Sequence, residues 1–473
     1  MTEARLLERG REAFDRRVWG ESHRLLQAAD RETPLEPEDL ERLARAAYLT
    51  GQDEEAEAVL ARAHQVYLDR GEREAAARSA FWLAFALLAR GAMAPASGWL
   101  NRTERILDDG QIDCAVRGYL LIPVAIQRIV QGDAAASHDA FSQAAEIARR
   151  FGDRDLASLA CHGRGRALIR LGHIAEGVAL IDEAMASVIA GDVTPILAGD
   201  IYCSVLEACQ EIFDLRRAYE WTTSLAGWCA AQPGLVRYRG ECLTYRAEVL
   251  QWHGEWSAAE RDARDACELL TAAGRAAAGA AFYRLGELHR LRGEFAKAEA
   301  AYARANECGR KPQPGLSQLR LALGQADVAA ASIRGALETS TSLTRSARAR
   351  MLAAAVEILL AADDREGARA AADELREIAR VVGTPLLAAA SAHADGAVLL
   401  AEGKVDAASA SLRQAWDGWR DLEAPYEQAQ TSVLVAAVCE RRGDVDGRRL
   451  ELDAARRLFA ELDAFSSIGR ADE

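Results

Sequence analysis

The 473-residue sequence predicts an all-α protein of about twelve helix hairpins with a period near 40 residues. Alanine, leucine, arginine and glutamate are abundant, there are only ten prolines, and the β-branched runs that favour strands are scarce. A turn signal, usually glycine, recurs between amphipathic helical stretches along the whole chain. The turns fall at Gly20, Gly51, Gly91, Gly132, Gly172, about Asp214, Gly254, Gly293, Gly324, about Asp363, Gly403 and Gly443.

The spacing of these turns is regular. Neighbouring turns lie 39 to 42 residues apart, except for two intervals of 31. Two helices and their turns fill such a period. The stretch 252–309 is one repeat in full, with Ala259 and Ala298 five residues after the turn glycines Gly254 and Gly293. Glycine supplies the left-handed backbone that ends a helix, and a small residue lets two helices pack closely.

The N-terminal half follows this pattern hairpin by hairpin. A short first pair, typical of a terminal repeat, ends before Pro34 and Pro37, and helices over 38–49 and 54–69 form the second pair. The third pair carries the apolar run FWLAFALLARG, which we interpret as core. Pro123 lies inside an apolar helical run and predicts a kink there. The clearest hairpin, LASLACHGRGRALIRLG with IAEGVALIDEAMASVIAG, comes next.

The main irregularity is GRKPQPGLSQLRLALGQ, which has two prolines and a period of only 31 and therefore predicts a shortened helix and a bend. A polar run, GALETSTSLTRS, follows it. We therefore divide the chain into an N-terminal array over 1–309, an irregular repeat and bend over 310–346, a C-terminal array over 347–463 and a polar tail over 464–473.

Composition limits the classes of function. The net charge of -14 argues against direct nucleic-acid binding, which relies on lysine and arginine. Nine scattered cysteines without a CxxC pair are typical of small buried residues in a reducing compartment. No apolar run is long enough to span a bilayer and the N-terminus is charged, so a cytoplasmic location without membrane association is expected.

The pairs RALIRLGHIAEGVALIDEAM and GELHRLRGEFAKAEAAYARA resemble tetratricopeptide repeats, which form a right-handed superhelical solenoid. The period resembles the longer variety found in actinobacterial LuxR-type regulators related to the maltose-regulon activator. The stretch from GAVLLAEGKVD to RRLFAELDA is similar to their last repeats. The resemblance implies a sensor and interaction region. The ATPase motif GxxxxGK[ST] and a helix-turn-helix pattern such as LTxREhEVL do not occur in this chain.

Motifs that carry catalysis are absent from the sequence. There is no HExxH, GxSxG or paired-carboxylate motif, and Cys161 and His162 point to different helix faces. We therefore expect no enzyme activity, no cofactor and no metal site.

Polar and aromatic residues are dense on three consecutive first helices of hairpins, between Tyr202 and Arg290. First helices line the concave groove of a tetratricopeptide superhelix, where such side chains could bind a peptide or a small polar ligand. The alternative is that the tyrosines pack between helices while the charges pair with neighbouring repeats. The candidate ligand-binding residues are Tyr202, Gln210, Arg239, Tyr245, Arg246, Glu248, Tyr283, Arg284, Glu287 and His289.

Two classes of function remain open. One is a non-enzymatic sensor or scaffold that binds a peptide, a protein partner or a small effector in its groove, in a transcriptional-regulatory setting. The other is a LuxR-type transcription factor whose helix-turn-helix domain is missing from this chain. A homodimer, formed through an apolar end of the superhelix, is a further option.

Overall fold

The computed structural model describes residues 3–272, 274, 277–339 and 345–464, and this part of the chain contains 24 helices and no strand. The helices are α1 Glu3–Asp15, α2 Trp19–Glu32, α3 Pro37–Leu49, α4 Asp53–Asp69, α5 Arg73–Ala89, α6 Met93–Asp109, α7 Val116–Val130, α8 Ala134–Phe151, α9 Arg154–Leu171, α10 Ile174–Ile189, α11 Pro195–Ile212, α12 Leu215–Ala230, α13 Arg239–Trp252, α14 Trp256–Ala272, α15 Ala278–Leu291, α16 Phe295–Glu307, α17 Gly315–Ala322, α18 Ala326–Glu338, α19 Arg345–Ala361, α20 Arg365–Val382, α21 Pro385–Ala401, α22 Val405–Asp421, α23 Pro425–Arg442 and α24 Val445–Glu461.

These helices form twelve consecutive hairpins, so the predicted all-α array of tetratricopeptide-like hairpins is confirmed. One residue in each connecting turn has a positive φ, the left-handed conformation that ends the first helix. Nine of the twelve are glycines at the predicted positions, and the other three are Arg17, Phe213 and Asp363.

The predicted first turn at Gly20 is wrong by three residues. The turn residue is Arg17, with φ 59°, and Gly20 lies inside α2. A Cβ on Gly234 would lie 2.6 Å from the Gly20 amide nitrogen, whereas a Cβ on Gly20 would lie 3.8 Å from the Gly234 Cα, an ordinary contact distance. The close approach of these two backbone segments therefore requires glycine at position 234.

The fifth residue after each turn residue explains how the hairpins stack. It is small and buried in eleven of the twelve hairpins, and large only in the last, where it is Arg448. A short side chain there lets the second helix pack closely. The small residues are Ser22, Ala56, Ala96, Ser137, Gly177, Ala218, Ala259, Ala298, Ala329, Ala368 and Ala408.

Replacing Asp363 by glycine is expected to stabilise the protein by about 0.5 to 1 kcal/mol, because glycine adopts a positive φ without the steric penalty of a side chain. Asp363 has φ 57°, and its side chain is 86% exposed, so its ion pair with Arg365 contributes little. The urea midpoint of unfolding measures the change. Asp363→Ala is the control: an equal gain from alanine would contradict the explanation.

The chain divides into two compact units by its backbone contacts. Unit 1 comprises Met1–Val205 and Ser224–Arg239, and unit 2 comprises Leu206–Thr223 and Gly240–Glu473. The irregular region predicted at 310–346 lies within unit 2, and as a domain boundary it stays a prediction. Its shortened helix is present as the eight-residue α17. Residues 340–344 of that region and 465–473 of the predicted tail lie outside the described residues.

Unit 1 returns on itself. The Trp19 indole donates to the Gln232 Oε1 at 3.0 Å, and the Val236 amide donates to the Leu49 carbonyl at 3.0 Å. The first two hairpins therefore contact the segment that follows α12, about 200 residues later in the chain.

Unit 2 closes in the same way. The Trp256 ring lies 5.5 Å from that of Tyr426, which in turn lies 5.7 Å from that of Phe459. Trp252 and Trp419 stack, with centroids 6.1 Å apart and planes 18° apart. The hairpin α13/α14 and the hairpin α23/α24 thus share one apolar cluster, and the hairpins between them enclose a cavity.

Candidate functional site

Unit 2 contains a cavity of about 510 Å³, which we call the unit 2 cavity. The first helices of all six hairpins of this unit line it: α13, α15, α17, α19, α21 and α23. Its volume lies in the range of small-molecule sites. The first helices contribute because they face the centre of the closed unit.

Aromatic and aliphatic side chains form most of the wall. Trp252 and Trp419 form one stacked pair in the wall, and Tyr426 and Phe459 form a second aromatic pair. The short side chains along α21, such as Ala390, leave room in the middle of the cavity. The wall therefore suits a ligand with an apolar body.

One charged cluster is centred on Glu248. Its carboxylate accepts from Arg284 at 2.8 Å and lies 3.3 Å from the Arg350 guanidinium, and Gln210 also donates to it. Burial opposes ionisation of Glu248, but the facing arginines outweigh it and hold the pKa of this carboxyl below its ordinary value. Glu248 is therefore a charged residue at neutral pH.

A second cluster is centred on Glu287. Its carboxylate accepts from Arg290 at 2.9 Å and from the Tyr302 hydroxyl. Burial again opposes ionisation, but Arg290 outweighs it and lowers the pKa of Glu287. Burial also opposes the charge of Arg290, yet the Glu287 carboxylate keeps the pKa of that guanidinium above its ordinary value. The pair is ionised although it is buried.

Glu427 differs from both. Its Oε2 atom is shielded from water and has no hydrogen-bond partner within the described part of the chain. Burial raises the pKa of Glu427 to about 8, and a hydrogen bond from its own backbone amide and the charge of Arg290 offset this only in part. The Trp419 Nε1 atom, also in the wall, is a second buried polar atom without a partner among the described residues.

His393 lies in the wall on α21. Its Nδ1 lies 2.8 Å from the Thr431 hydroxyl. Burial lowers the pKa of this imidazole, so it is neutral at pH 7.

The structure brings four of the sequence-predicted residues together at the unit 2 cavity: Glu248, Tyr283, Arg284 and Glu287. Gln210 and Tyr245 line a smaller cleft of about 30 Å³ in the same unit. Tyr245 donates to Glu207 at 3.4 Å, and Gln210 reaches the larger cavity through its bond to Glu248.

The other four predicted residues lie elsewhere. Arg246 pairs with Asp262 on α14 at 2.7 Å, and His289 pairs with Glu294, so both face second helices. Tyr202 and Arg239 belong to unit 1, where the Tyr202 hydroxyl lies 2.8 Å from that of Ser224. As a set, the ten residues stay a prediction of a ligand site.

The sequence analysis missed the wall residues on the first helices α19, α21 and α23, which are Arg350, His393 and Glu427. It also missed Arg290 on α15 and Trp419 on α22, a second helix. The rule that first helices face inward applies equally to α19, α21 and α23, but it does not apply to Trp419. The rule does not indicate that the first and the last hairpin of unit 2 contact each other.

Unit 1 has a cavity of its own, of about 400 Å³. Trp19, Tyr48, Trp82 and Tyr119 contribute aromatic surface to its wall. In its wall the Tyr119 hydroxyl donates to Asp153 at 3.0 Å, and Arg78 pairs with Glu41 at 3.3 Å. We place the candidate site in unit 2 because four of the ten sequence-predicted residues line its cavity and the Glu427 Oε2 atom there has no hydrogen-bond partner among the described residues.

Within residues 3–272, 274, 277–339 and 345–464, no three histidine, cysteine, aspartate or glutamate side chains lie close enough together to hold a metal ion. In the same residues no helix is both long and apolar enough to cross a bilayer.

No protein-family profile matches the chain, and no curated protein sequence is significantly similar to it. Solved structures of similar fold include a Rap protein complexed with competence and sporulation factor, with 12% identity, a TM-score of 0.46 and coverage of 82% of this chain and 97% of that one. The APC/C hetero-tetramer Cut9–Hcn1 has 12% identity and a TM-score of 0.40 over 100% and 97% of the two chains. A tetratricopeptide repeat protein from Parabacteroides merdae has 17% identity and a TM-score of 0.37 over 56% and 93%.

Proposed function

We propose that this protein is a non-enzymatic sensor whose ligand, a small molecule or a short peptide, binds in the unit 2 cavity. The observation that carries the proposal is a cavity of about 510 Å³ with a largely apolar wall and buried charged groups. Buried charges are costly to keep unless they are paired or used in recognition.

The closure of unit 2 favours a small ligand over a folded protein partner. The contacts of Trp256 with Tyr426 and of Trp252 with Trp419 join the two ends of the hairpin series. An open concave groove accepts a long helix or strand, whereas this cavity suits a molecule of drug-like size.

The wall favours binding over catalysis. Its residues, all in the described part of the chain, include no serine, cysteine or lysine that could act as a nucleophile. Glu248 and Glu287 are already held in ion pairs by arginines. A setting in transcriptional regulation is part of the proposal and rests on the resemblance of the repeats to those of LuxR-type regulators.

A ligand of the unit 2 cavity is expected to stabilise the protein by about 2.7 kcal/mol at a hundred times its dissociation constant. Thermal unfolding against a panel of metabolites and short peptides measures this shift. Ala390→Trp places a large ring in the cavity and should abolish the shift. Ala388→Trp is the matched control, because Ala388 is exposed on the same helix and should keep the shift. An equal shift in the Ala390→Trp variant would show that the ligand binds elsewhere.

A further inference from the structure

Glu427 is the feature of the unit 2 cavity that its own protein neighbours do not explain. Its Oε2 atom is shielded from water and accepts no hydrogen bond from the described residues. Buried polar atoms in folded proteins nearly always have a partner, and an exception in a cavity wall points to a missing donor. A ligand that donates a hydrogen bond to this atom would supply it.

The arginines of the cavity wall are engaged by other carboxylates, because Arg284 and Arg350 contact Glu248 while Arg290 contacts Glu287. Glu427 differs from those two glutamates, because Arg290 offsets its burial only in part and its pKa is raised to about 8. A ligand ammonium group would supply both the missing N–H donor and the positive charge that favours the ionised form of this carboxyl. An anionic ligand would supply neither.

The apolar wall adds a requirement for the rest of the ligand. Trp252, Trp419 and Tyr426 are large aromatic surfaces in the same cavity. Aromatic faces bind both apolar groups and organic cations. The Trp419 Nε1 donor also lacks a partner among the described residues, so it could donate a hydrogen bond to an acceptor on the ligand.

We propose that the unit 2 cavity binds a protonated primary or secondary amine with an apolar body, whose ammonium group donates a hydrogen bond to Glu427. This inference rests on the proposed function and specifies the ligand class. A quaternary ammonium compound has the charge but no N–H, so it favours the ionised carboxylate without donating a hydrogen bond to Oε2. The apolar body lies against the tryptophans.

A series of isosteric probes tests the ligand class on the unaltered protein. The probes are 2-phenylethylamine, the neutral 2-phenylethanol, the anionic 3-phenylpropanoate and trimethyl(2-phenylethyl)ammonium, each titrated calorimetrically at millimolar concentration. We expect the amine to bind roughly tenfold or more tightly than the alcohol, because a charge-assisted hydrogen bond replaces a neutral one. The quaternary compound should lie between them. Binding of the alcohol or the carboxylate as tightly as the amine, or no binding of the amine, would overturn the proposal.

Variants then test whether Glu427 is the carboxyl group that binds the ammonium group of the ligand. Glu427→Gln keeps the shape of the side chain and should weaken amine binding roughly tenfold while leaving alcohol binding nearly unchanged. Glu440→Gln, on the same helix but 64% exposed, should change neither. Undiminished amine binding by Glu427→Gln would contradict the assignment.

Ala390→Trp distinguishes a failure of the proposed ligand class from a failure of the proposed function. If neutral or anionic probes bind and this variant abolishes their binding, the cavity is a ligand site and only the amine class fails. If a probe binds the variant as well as it binds the unaltered protein, the proposed function fails too.

Discussion

Replacing Glu287 by alanine is expected to destabilise the protein by about 3 to 5 kcal/mol, because it leaves a buried guanidinium without its carboxylate. Glu287 is 7% exposed and holds both Arg290 and the Tyr302 hydroxyl. Tyr302 is 1% exposed and the Arg290 side chain 12%, so water replaces the lost bonds only poorly. Urea unfolding followed by tryptophan fluorescence measures the loss.

The exposed pair Glu377 and Arg380 provides the control. It has the same residue types and the same i,i+3 spacing in the same unit, but its side chains are 62% and 71% exposed. Glu377→Ala should leave the unfolding midpoint almost unchanged. The double variant Glu287→Leu with Arg290→Met should be more stable than Glu287→Ala, because it removes both charges together. Equal losses from Glu287→Ala and Glu377→Ala would show that burial of the pair has no effect.

Gly254→Ala is expected to cost about 2 to 4 kcal/mol, from a left-handed alanine together with overpacking. Gly254 has φ +77°, and a Cβ there would lie 2.7 Å from Leu462 and 2.8 Å from the Pro425 ring. Those residues belong to the far end of unit 2. The substitution therefore disturbs the closing contact as well as the turn. Urea unfolding measures the loss of stability, and the fluorescence of the Trp252 and Trp419 pair should change with it.

Gly403→Ala separates the two effects. Gly403 has φ +79° in an equivalent turn, and a Cβ there would meet nothing within 4 Å. This variant should lose only the backbone contribution, about 1 to 2 kcal/mol. If both variants lose the same stability, the contact between the ends of unit 2 contributes nothing.

The fold was predictable because its signals are local and repeat. Turn glycines such as Gly51 and Gly443 fix the ends of helices, and small residues such as Ala56 mark the packed side of each second helix. Gly20 misled the prediction because the left-handed residue of this turn is Arg17, a residue type that seldom adopts a positive φ. A single sequence gives no signal that such a residue ends the helix while a nearby glycine does not.

The candidate site was predictable only on one side. Glu248, Arg284 and Glu287 were found because they follow one another on α13 and α15. Trp419 and Glu427 complete the wall from more than 100 residues further along the chain. Whether residues this far apart in sequence come together depends on the rotation that accumulates from one hairpin to the next. The repeat period of the sequence does not determine that rotation.

The return of each unit onto itself also fixes the number of its hairpins. In an open array, gaining or losing one repeat by duplication or deletion leaves every remaining neighbour contact intact. In unit 2 the same event would separate Trp256 from Tyr426 and Trp252 from Trp419. A repeat protein of this kind is therefore constrained in length as a barrel is constrained in strand number.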